Sequence, residues 1–239
     1  MAKSKFYAVR VGHKPGIYTS WAECQKHING FSGAQYKSFP TREEAESFLQ
    51  GEVVVTSKEK KKENYKKVAD EAETRAIELS KEPGVISIYT DGSRKQKPKE
   101  GGLVFGYGVA IIENGQLSDS FGKADDNEVY AVYENVAGEL FGAVEALRFV
   151  MNKRPGTKKV VMFYDYEGIG KWATKEWKAK NIMTQRYVKF VDDFRQSTGV
   201  ELEFNHVKGH VGNCFNEHVD KIAGEAIDKF LAQLSKGGK

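Results

Sequence analysis

The chain has 239 residues and a net charge of +4, with 40% hydrophobic and 29% charged residues. Its length allows one large domain, or a medium domain with a small one. No apolar run approaches the roughly 18 residues that a membrane span needs, and the N-terminus lacks the apolar core of a secretory signal, so neither a membrane partner nor export is expected. The mild basic excess permits a nucleic-acid partner without requiring one.

The first predicted domain is small and occupies residues 1–52. Alternating apolar residues predict strands at KFYAVRVG, GIYTSW and AQYKSF. Ser20 with Glu23, and Thr41 with Glu44, have capping-box spacing, which predicts helices at SWAECQKHINGF and TREEAESFL. The predicted order is therefore ββαβα around a thin core.

Residues 53–83 have a different composition, dominated by Lys, Glu and Ala with almost no aromatic residues. Such a segment is either a solvated helix or a flexible charged tether. We interpret it as a charged linker, with a helix possible in its second half. Pro83-Gly84 marks its end.

The α/β pattern that follows fills residues 84–234, before a short tail at 235–239. The segments VISIYTD, KKVVMFYD and VELEFNHV predict strands, and two more strands meet at an Asn114-Gly115 hairpin. Helices are predicted at NVAGELFGAVEALRFVM, GIGKWATKEW, TQRYVKFVDDFRQS and NEHVDKIAGEAIDKFLAQL. The pattern indicates a mixed sheet with helices on its faces. The central helix is expected to present one apolar face formed by Leu140, Val144, Leu147 and Met151.

Four acids lie at the ends of these predicted elements. Asp91 ends one strand, Asp165 ends another, Glu139 lies near the start of the central helix, and Asp220 is in the first turn predicted for the last helix. Parallel strands share one rim at their C-terminal ends, where open α/β sheets place their sites. We therefore expect these side chains to meet there.

Clustered carboxylates need protons or cations, because two unit charges about 4 Å apart repel by roughly 4 kcal/mol at an effective dielectric of 20. Hard oxygen ligands without a cysteine cage favour Mg²⁺ or Mn²⁺. Two such ions that share a carboxylate suit phosphodiester chemistry. Taken singly, each acid has another explanation: an Asp-Gly turn, a helix-face acid, a strand-end cap or a first-turn acid favoured by the helix dipole.

The motifs YTDGS, GYGVAII, NVAGEL, FYD and HVKGHVGNCFNEHVD follow one another in this order. With them, the chain closely resembles ribonuclease H of type 1. The segment FYAVRVGHKPGIYTSWAECQKHINGFSGAQYKSF resembles the hybrid-binding domain, of the caulimovirus viroplasmin type, that precedes the enzyme in some members. The resemblance implies a ribonuclease H-like mixed five-stranded sheet after a small N-terminal domain.

The same resemblance implies an endoribonuclease that cleaves the RNA strand of RNA–DNA hybrids and leaves 5′-phosphate and 3′-hydroxyl ends. It implies a monomer with two Mg²⁺ ions per site, for which Mn²⁺ could substitute. Asp91 would bridge both ions, Glu139 and Asp165 would complete one, and Asp220 the other. His210, ten residues before Asp220, would assist proton traffic or product release.

Nucleic-acid contacts are also implied by the resemblance. The N-terminal domain would raise affinity for the hybrid, or for double-stranded RNA, through exposed aromatic rings and a basic residue. Trp21 and Tyr36 could instead fill the core of so small a domain. The residues expected to contact nucleic acid are Trp21, Tyr36, Lys37, Tyr7, Arg10, Asn135 and Lys208.

Three alternatives remain open from the sequence. The chain could be a non-catalytic hybrid-binding protein, although keeping all four acids argues against this. It could be another nuclease of the same fold, such as an integrase or transposase, but those lack the KGHVGN and NEHVD segments. A structural zinc site is the third, because His206, His210, Cys214 and His218 recur at regular intervals, although glycines interrupt them.

Overall fold

The computed structural model describes residues 5–51, 57–97, 101–209 and 212–237, with only the backbone for helix residues 57–66 and 236–237. The chain forms two compact units, residues 1–64 and 65–239. Within the described ranges, no helix combines the length and the apolar character needed to cross a membrane.

The first unit has the predicted ββαβα order. Its antiparallel sheet has the strand order β2-β1-β3. Small apolar clusters cover both sheet faces: Val9 and Cys24 lie in one, and Ala8, Phe39 and Ala45 in the other. The elements are β1 (Phe6–Val11), β2 (Gly16–Tyr18), α1 (Trp21–Lys26), β3 (Gln35–Phe39) and α2 (Arg42–Leu49).

The predicted helix starts in this unit are confirmed. The side chain of Ser20 accepts a hydrogen bond from the Glu23 amide, and that of Thr41 accepts one from the Glu44 amide. Each bond satisfies one of the amides that a helix start leaves without a partner.

The second unit contains the predicted mixed five-stranded sheet, in the order β6-β5-β4-β7-β8. β4 pairs with β7 in parallel, as β7 does with β8, whereas β4–β5 and β5–β6 are antiparallel. Its strands are β4 (Val85–Gln96), β5 (Leu103–Glu113), β6 (Gln116–Asp125), β7 (Lys159–Tyr164) and β8 (Glu201–His206). Its helices are α3 (Ser57–Leu79, which begins in the first unit), α4 (Glu128–Ala131), α5 (Asn135–Lys153), α6 (Gly168–Ala173), α7 (Ile182–Thr198) and α8 (Cys214–Gly237).

Helices cover both faces of this sheet because alternate strand residues point to opposite sides. Ile86 and Ile88 of β4 pack in the larger core with α5 and α7. Val85 and Tyr89 pack in a second core with α3 and α8. Met151 departs from the predicted apolar face of α5, since it is 44% exposed.

The Asn114-Gly115 hairpin is confirmed between β5 and β6. Both residues have positive φ, 53° and 77°, as the two central residues of a type I′ turn require.

β4 is longer than the sequence pattern predicts, which corrects the assignment of Asp91 to a strand end. The parallel pairing with β7 stops at Tyr89, but the antiparallel pairing with β5 continues as far as Gln96. Asp91 is therefore held inside a strand, just beyond the point where β7 leaves it. The turn interpretation of Asp91-Gly92 is wrong for the same reason.

α8 begins earlier than predicted, which corrects the position of Asp220. The helix starts at Cys214. Oδ1 of Asn213 accepts a hydrogen bond from the Asn216 backbone amide at 3.1 Å. Asp220 therefore lies in the second turn of the helix rather than the first.

The segment predicted as a linker contains the helix α3. Its second half packs in the second unit, where Ala69 and Ala76 are buried. The domain limits remain predictions, but α3 contributes the buried side chains of Ala69 and Ala76 to the second unit.

Glycines allow α5 to approach β4 and β5 closely. A Cβ on Gly138 of α5 would overlap the carbonyl oxygen of Gly106 and lie 2.9 Å from the Gly92 Cα. A Cβ on Gly92 would lie 2.6 Å from the Gly138 carbonyl carbon. The backbones of α5 and β4 are thus in direct contact next to Glu139.

We predict that Gly138→Ala destabilises the protein by about 1–3 kcal/mol, since its new methyl group has only backbone to displace. Gly224→Ala on α8 is the matched control, because a Cβ there meets nothing within 4 Å. That change should stabilise the helix by up to about 1 kcal/mol. Urea denaturation measures both, and equal effects would contradict the close-packing argument.

Candidate active site

Three carboxylates from three elements converge beside β4. One ligand oxygen each from Asp91, Glu139 and Asp165 lie within 4.8 Å of one another. Asp91 comes from β4, Glu139 from the first turns of α5, and Asp165 directly follows β7. The predicted convergence of these three acids is confirmed.

Asp220 faces the same place from α8. It lines one open cleft with the three other acids, although it is not part of their tight cluster. The part of β4 beyond Asp91 also lines the cleft and contributes Arg94 and Lys95. The cleft lining thus combines four acids with two basic residues.

Burial makes the acidic cluster electrostatically costly. Asp91 and Glu139 are each only 5% exposed. Burial, together with the charges of Asp165 and Asp220, raises the pKa of Asp91 to about 7. Burial and the charges of Asp91 and Asp165 raise the pKa of Glu139 well above its ordinary value. Removal from water and mutual repulsion both disfavour the ionised forms.

The residues present fit a divalent cation. Glu139 Oε2 is buried and has no hydrogen-bond partner, which is unusual for a buried polar atom. The Gly92 amide donates a hydrogen bond to Asp91 Oδ1 at 2.7 Å. Clustered carboxylate oxygens with unused lone pairs are the donor set that Mg²⁺ and Mn²⁺ take.

The segment after β8 borders Asp165. His206 Nε2 donates to the Asp165 carbonyl oxygen at 2.9 Å, which ties β8 to the residue that follows β7. A Cβ on Gly209 would overlap the Asp165 carboxylate, so this backbone passes directly beside the acid. Lys208 is exposed there. His210 lies outside the described residues, and its role remains a prediction.

Asn135 begins α5 and lines the cleft, as expected of a residue that contacts the ligand. Glu134 before it has φ 56° and ψ −129°, a region that non-glycine residues rarely adopt. Its carboxylate pairs with Arg94 at 3.2 Å. Lys95 pairs in the same way with Asp228 of α8 at 2.5 Å, so both basic groups of the cleft are partly neutralised.

The first unit carries an exposed aromatic patch formed by Tyr7, Trp21 and Tyr36. The ring centres of Tyr7 and Trp21 are 5.7 Å apart, and those of Trp21 and Tyr36 are 5.9 Å apart. Trp21 is 42% and Tyr36 46% exposed, so the core-filling alternative is wrong for these two residues. Neighbouring exposed rings suit stacking on a ligand.

Lys37 and Arg10 lie on the other face of the small sheet. Lys37 Nζ is 5.9 Å from the centre of the Phe39 ring. Arg10 lies over Phe48 and donates to Gln35 Oε1 at 2.7 and 2.9 Å. The structure does not bring these cations together with the aromatic patch, and their contact with nucleic acid remains a prediction.

The zinc alternative has no support among the described residues. The ring of His206 is engaged with the Asp165 carbonyl, and the one group of three or more potential ligands found in those ranges is the carboxylate cluster.

Sequence reasoning missed three residues that shape the site, Gly92, Gly138 and His206. The sequence pattern favours a turn at Gly92, gives Gly138 no role and offers His206 only as a zinc ligand. The glycines leave a signal, since each neighbours one of the clustered acids in sequence. Arg94 belongs to the basic segment after Asp91, which the sequence suggests as part of the substrate grip. Nothing in the local sequence indicates that His206 bonds to a backbone oxygen.

Comparison with known families assigns both parts of the chain. The family described as RNase H matches residues 83–228, and the one described as Ribonuclease H1 N-terminal domain matches residues 5–49. The first match spans more than half of the chain.

Individual relatives agree with these matches. Ribonuclease H1 of Homo sapiens is 24% identical over 270 residues, which cover 92% of this chain and 88% of the human protein. A ribonuclease H of Ralstonia nicotianae is 30% identical over 151 residues, covering 60% of this chain and 91% of that protein. The fold is also similar to the crystal structure of LC11-RNase H1 in complex with an RNA/DNA hybrid. Its TM-score is 0.50 at 22% identity, over 61% of this chain and 99% of that one.

We predict that Asp91→Asn stabilises the metal-free protein, and more at pH 8 than at pH 5. A carboxyl whose pKa rises to about 7 on folding contributes stability below its ordinary pKa of 3.8 and loses it as the pH rises through 7. The asparagine variant has no such loss. Melting temperatures in EDTA at the two pH values measure the effect.

Asp193→Asn is the control, because this exposed acid pairs only with Lys189 in the same helix. Its melting temperature should follow that of the wild type at both pH values. A stabilisation by Asp91→Asn that is independent of pH would contradict the electrostatic origin.

Proposed function

The chain belongs to the ribonuclease H family, and we propose from this premise that it cleaves the RNA strand of RNA–DNA hybrids endonucleolytically. The observation that carries the proposal is the cluster of Asp91, Glu139 and Asp165, which lies in an open cleft that Arg94 and Lys95 also line. LC11-RNase H1, which has a similar fold, has been crystallised in complex with an RNA/DNA hybrid. The phosphodiester backbone of a nucleic acid is negatively charged, so the basic residues Arg94 and Lys95 next to the acidic cluster attract it.

The four acids would hold two Mg²⁺ ions, with Mn²⁺ able to substitute. Asp91 lies between the α5 and α8 sides of the cleft and would contact both ions, with Glu139 and Asp165 on one side and Asp220 on the other. When bound, such ions stabilise the attacking and leaving oxygens of an in-line displacement at phosphorus.

The remaining cleft residues would orient the substrate and the attacking water. Arg94 and Lys95 attract the phosphates, and Asn135 offers an amide donor and acceptor for the sugar edge of the RNA strand. Attack by water with loss of the ribose 3′-oxygen leaves a 5′-phosphate and a 3′-hydroxyl. His210 would accept or return a proton, as histidine side chains commonly do in catalysis.

The first unit would raise the affinity for nucleic acid without taking part in cleavage. The patch of Tyr7, Trp21 and Tyr36 offers rings for stacking on sugars or bases. Double-stranded RNA is a further ligand that we propose for this unit. We propose a monomer that acts in the cytoplasm.

Asp165→Asn should lower kcat by at least about 100-fold, while hybrid binding in Mg²⁺ stays within a few-fold of wild type. The amide keeps the size of the side chain but removes a negative ligand. Glu167→Gln is the matched control, since this nearby exposed acid pairs with Lys171. Labelled hybrid, RNA duplex and DNA duplex, each with and without Mg²⁺, provide the assay, and undiminished cleavage by the Asp165 variant would remove this residue from the site.

Trp21→Ala combined with Tyr36→Ala should raise KM for long hybrids about tenfold or more and change kcat by less than about twofold, because one stacked ring contributes about 1–3 kcal/mol. Leu117→Ala in β6 truncates a similarly exposed apolar side chain and should change neither constant. Steady-state kinetics measures both. A loss confined to kcat would refute the division of labour between the two units.

A further inference from the structure

Residues 65–79 of α3 precede the segment that matches the RNase H family, which begins at residue 83, yet they belong to the second compact unit. Ala69 and Ala76 are buried, and Arg75 pairs with Glu203 of β8 at 2.7 Å. This half-helix is therefore an addition to the family domain that packs like a part of it.

The first turn of α8 receives one of its hydrogen bonds from α3. The Cys214 amide donates to Glu73 Oε2 at 3.0 Å, and the Asn216 amide donates to Asn213 Oδ1 at 3.1 Å. Free amides at a helix start are satisfied by such acceptors, and a carboxylate there also interacts favourably with the helix dipole. A residue from α3 thus shares the capping of α8.

Asn213 is only 1% exposed and connects three elements. Besides its capping bond, its Nδ2 donates to the Ala69 carbonyl of α3 at 3.2 Å and to the Tyr89 hydroxyl of β4 at 3.0 Å. An amide has two N–H donors and one carbonyl acceptor. Both donors and the acceptor are engaged here, which fixes the orientation of the side chain.

The same three elements are joined at a second level. Ser87 of β4 donates to the Ala76 carbonyl of α3 at 2.7 Å. Tyr89 stacks on Phe163 of β7 with ring centres 4.8 Å apart and contacts Phe215 of α8 at 5.4 Å. Tyr89 and Asp91 are two positions apart in β4 and therefore face the same side of the sheet. This contact region is thus adjacent to the acidic cluster.

We propose that Glu73 and Asn213 are positioning residues for catalysis, through which α3 sets the placement of Asp220 relative to Asp91. The inference rests on the proposed function, and it extends the catalytic unit to a helix outside the family match. Asp220 follows Cys214 by less than two helical turns. A displacement of the capped end therefore moves this carboxylate, whereas Asp91 is fixed by pairing on β4.

The test uses the full chain with Glu73→Ala, which leaves the Cys214 amide without its acceptor. We expect kcat to fall about tenfold, because a displacement of about 1 Å at a reacting centre can lower a rate by about 100-fold. KM for the hybrid should change by less than about twofold. Amide hydrogen exchange at residues 214–217 should become about tenfold faster, a readout that does not depend on activity.

Two variants control for charge and for general effects on α3. Glu73→Gln keeps an acceptor oxygen, so it should restore kcat and exchange protection to within about threefold of wild type. Glu78→Ala removes an exposed acid of the same helix that bonds only to Lys81, and it should leave kcat, KM and exchange unchanged.

The possible results separate clearly. Faster exchange with an unchanged kcat would show that Glu73 caps the helix without positioning Asp220, and would overturn the proposal. Unchanged exchange and kcat would overturn it as well. An inactive wild type would instead count against the proposed function, and the exchange data would still report whether Glu73 caps α8.

Discussion

The buried repulsion between Asp91 and Glu139 is the constraint on which the rest of the second unit depends. Two carboxyls that are each 5% exposed, with Asp165 beside them, are tolerated only with bound protons or a cation. The fold holds them by backbone rather than by flexible side chains. Gly92 and Gly138 let β4 and α5 touch, which holds the backbone of Glu139 close to that of Asp91. Rigid convergence of like charges is what makes the cluster suited to a divalent ion.

Strand length determines where this convergence occurs. β7 leaves β4 at Tyr89, while β5 keeps β4 extended to Gln96. The departure of β7 leaves one edge of β4 without a partner at Asp91, and the continued pairing with β5 brings Arg94 and Lys95 into the lining of the same cleft. A turn after Asp91 would still have placed its carboxylate at the site, but it would not have placed Arg94 and Lys95 in the same cleft. The acidic cluster and the basic residues that line the same cleft therefore both result from the unequal lengths over which β4 pairs with β7 and with β5.

The sequence was sufficient for what depends on local patterns. Alternation and capping residues predicted the order of the strands and most of the helices, and strand ends indicated that Asp91, Glu139 and Asp165 would meet. It failed where distant partners decide. The length of β4 depends on β5, and the Cys214 amide at the start of α8 finds its acceptor in Glu73, which is far away in the chain. The face on which Lys37 lies also required the pairing of β3 with β1.

The packing of α3 changes how the chain is divided. Its charged composition predicts a tether, yet Ala69 and Ala76 form a small-residue side that is buried. A helix rich in Lys and Glu can serve both roles, because one narrow stripe of alanines suffices for close packing while the rest is solvated. The Glu73 carboxylate and the Ala69 carbonyl then act on the start of α8. We infer that this segment, which precedes the match to the RNase H family, thereby helps to position Asp220 in the cleft.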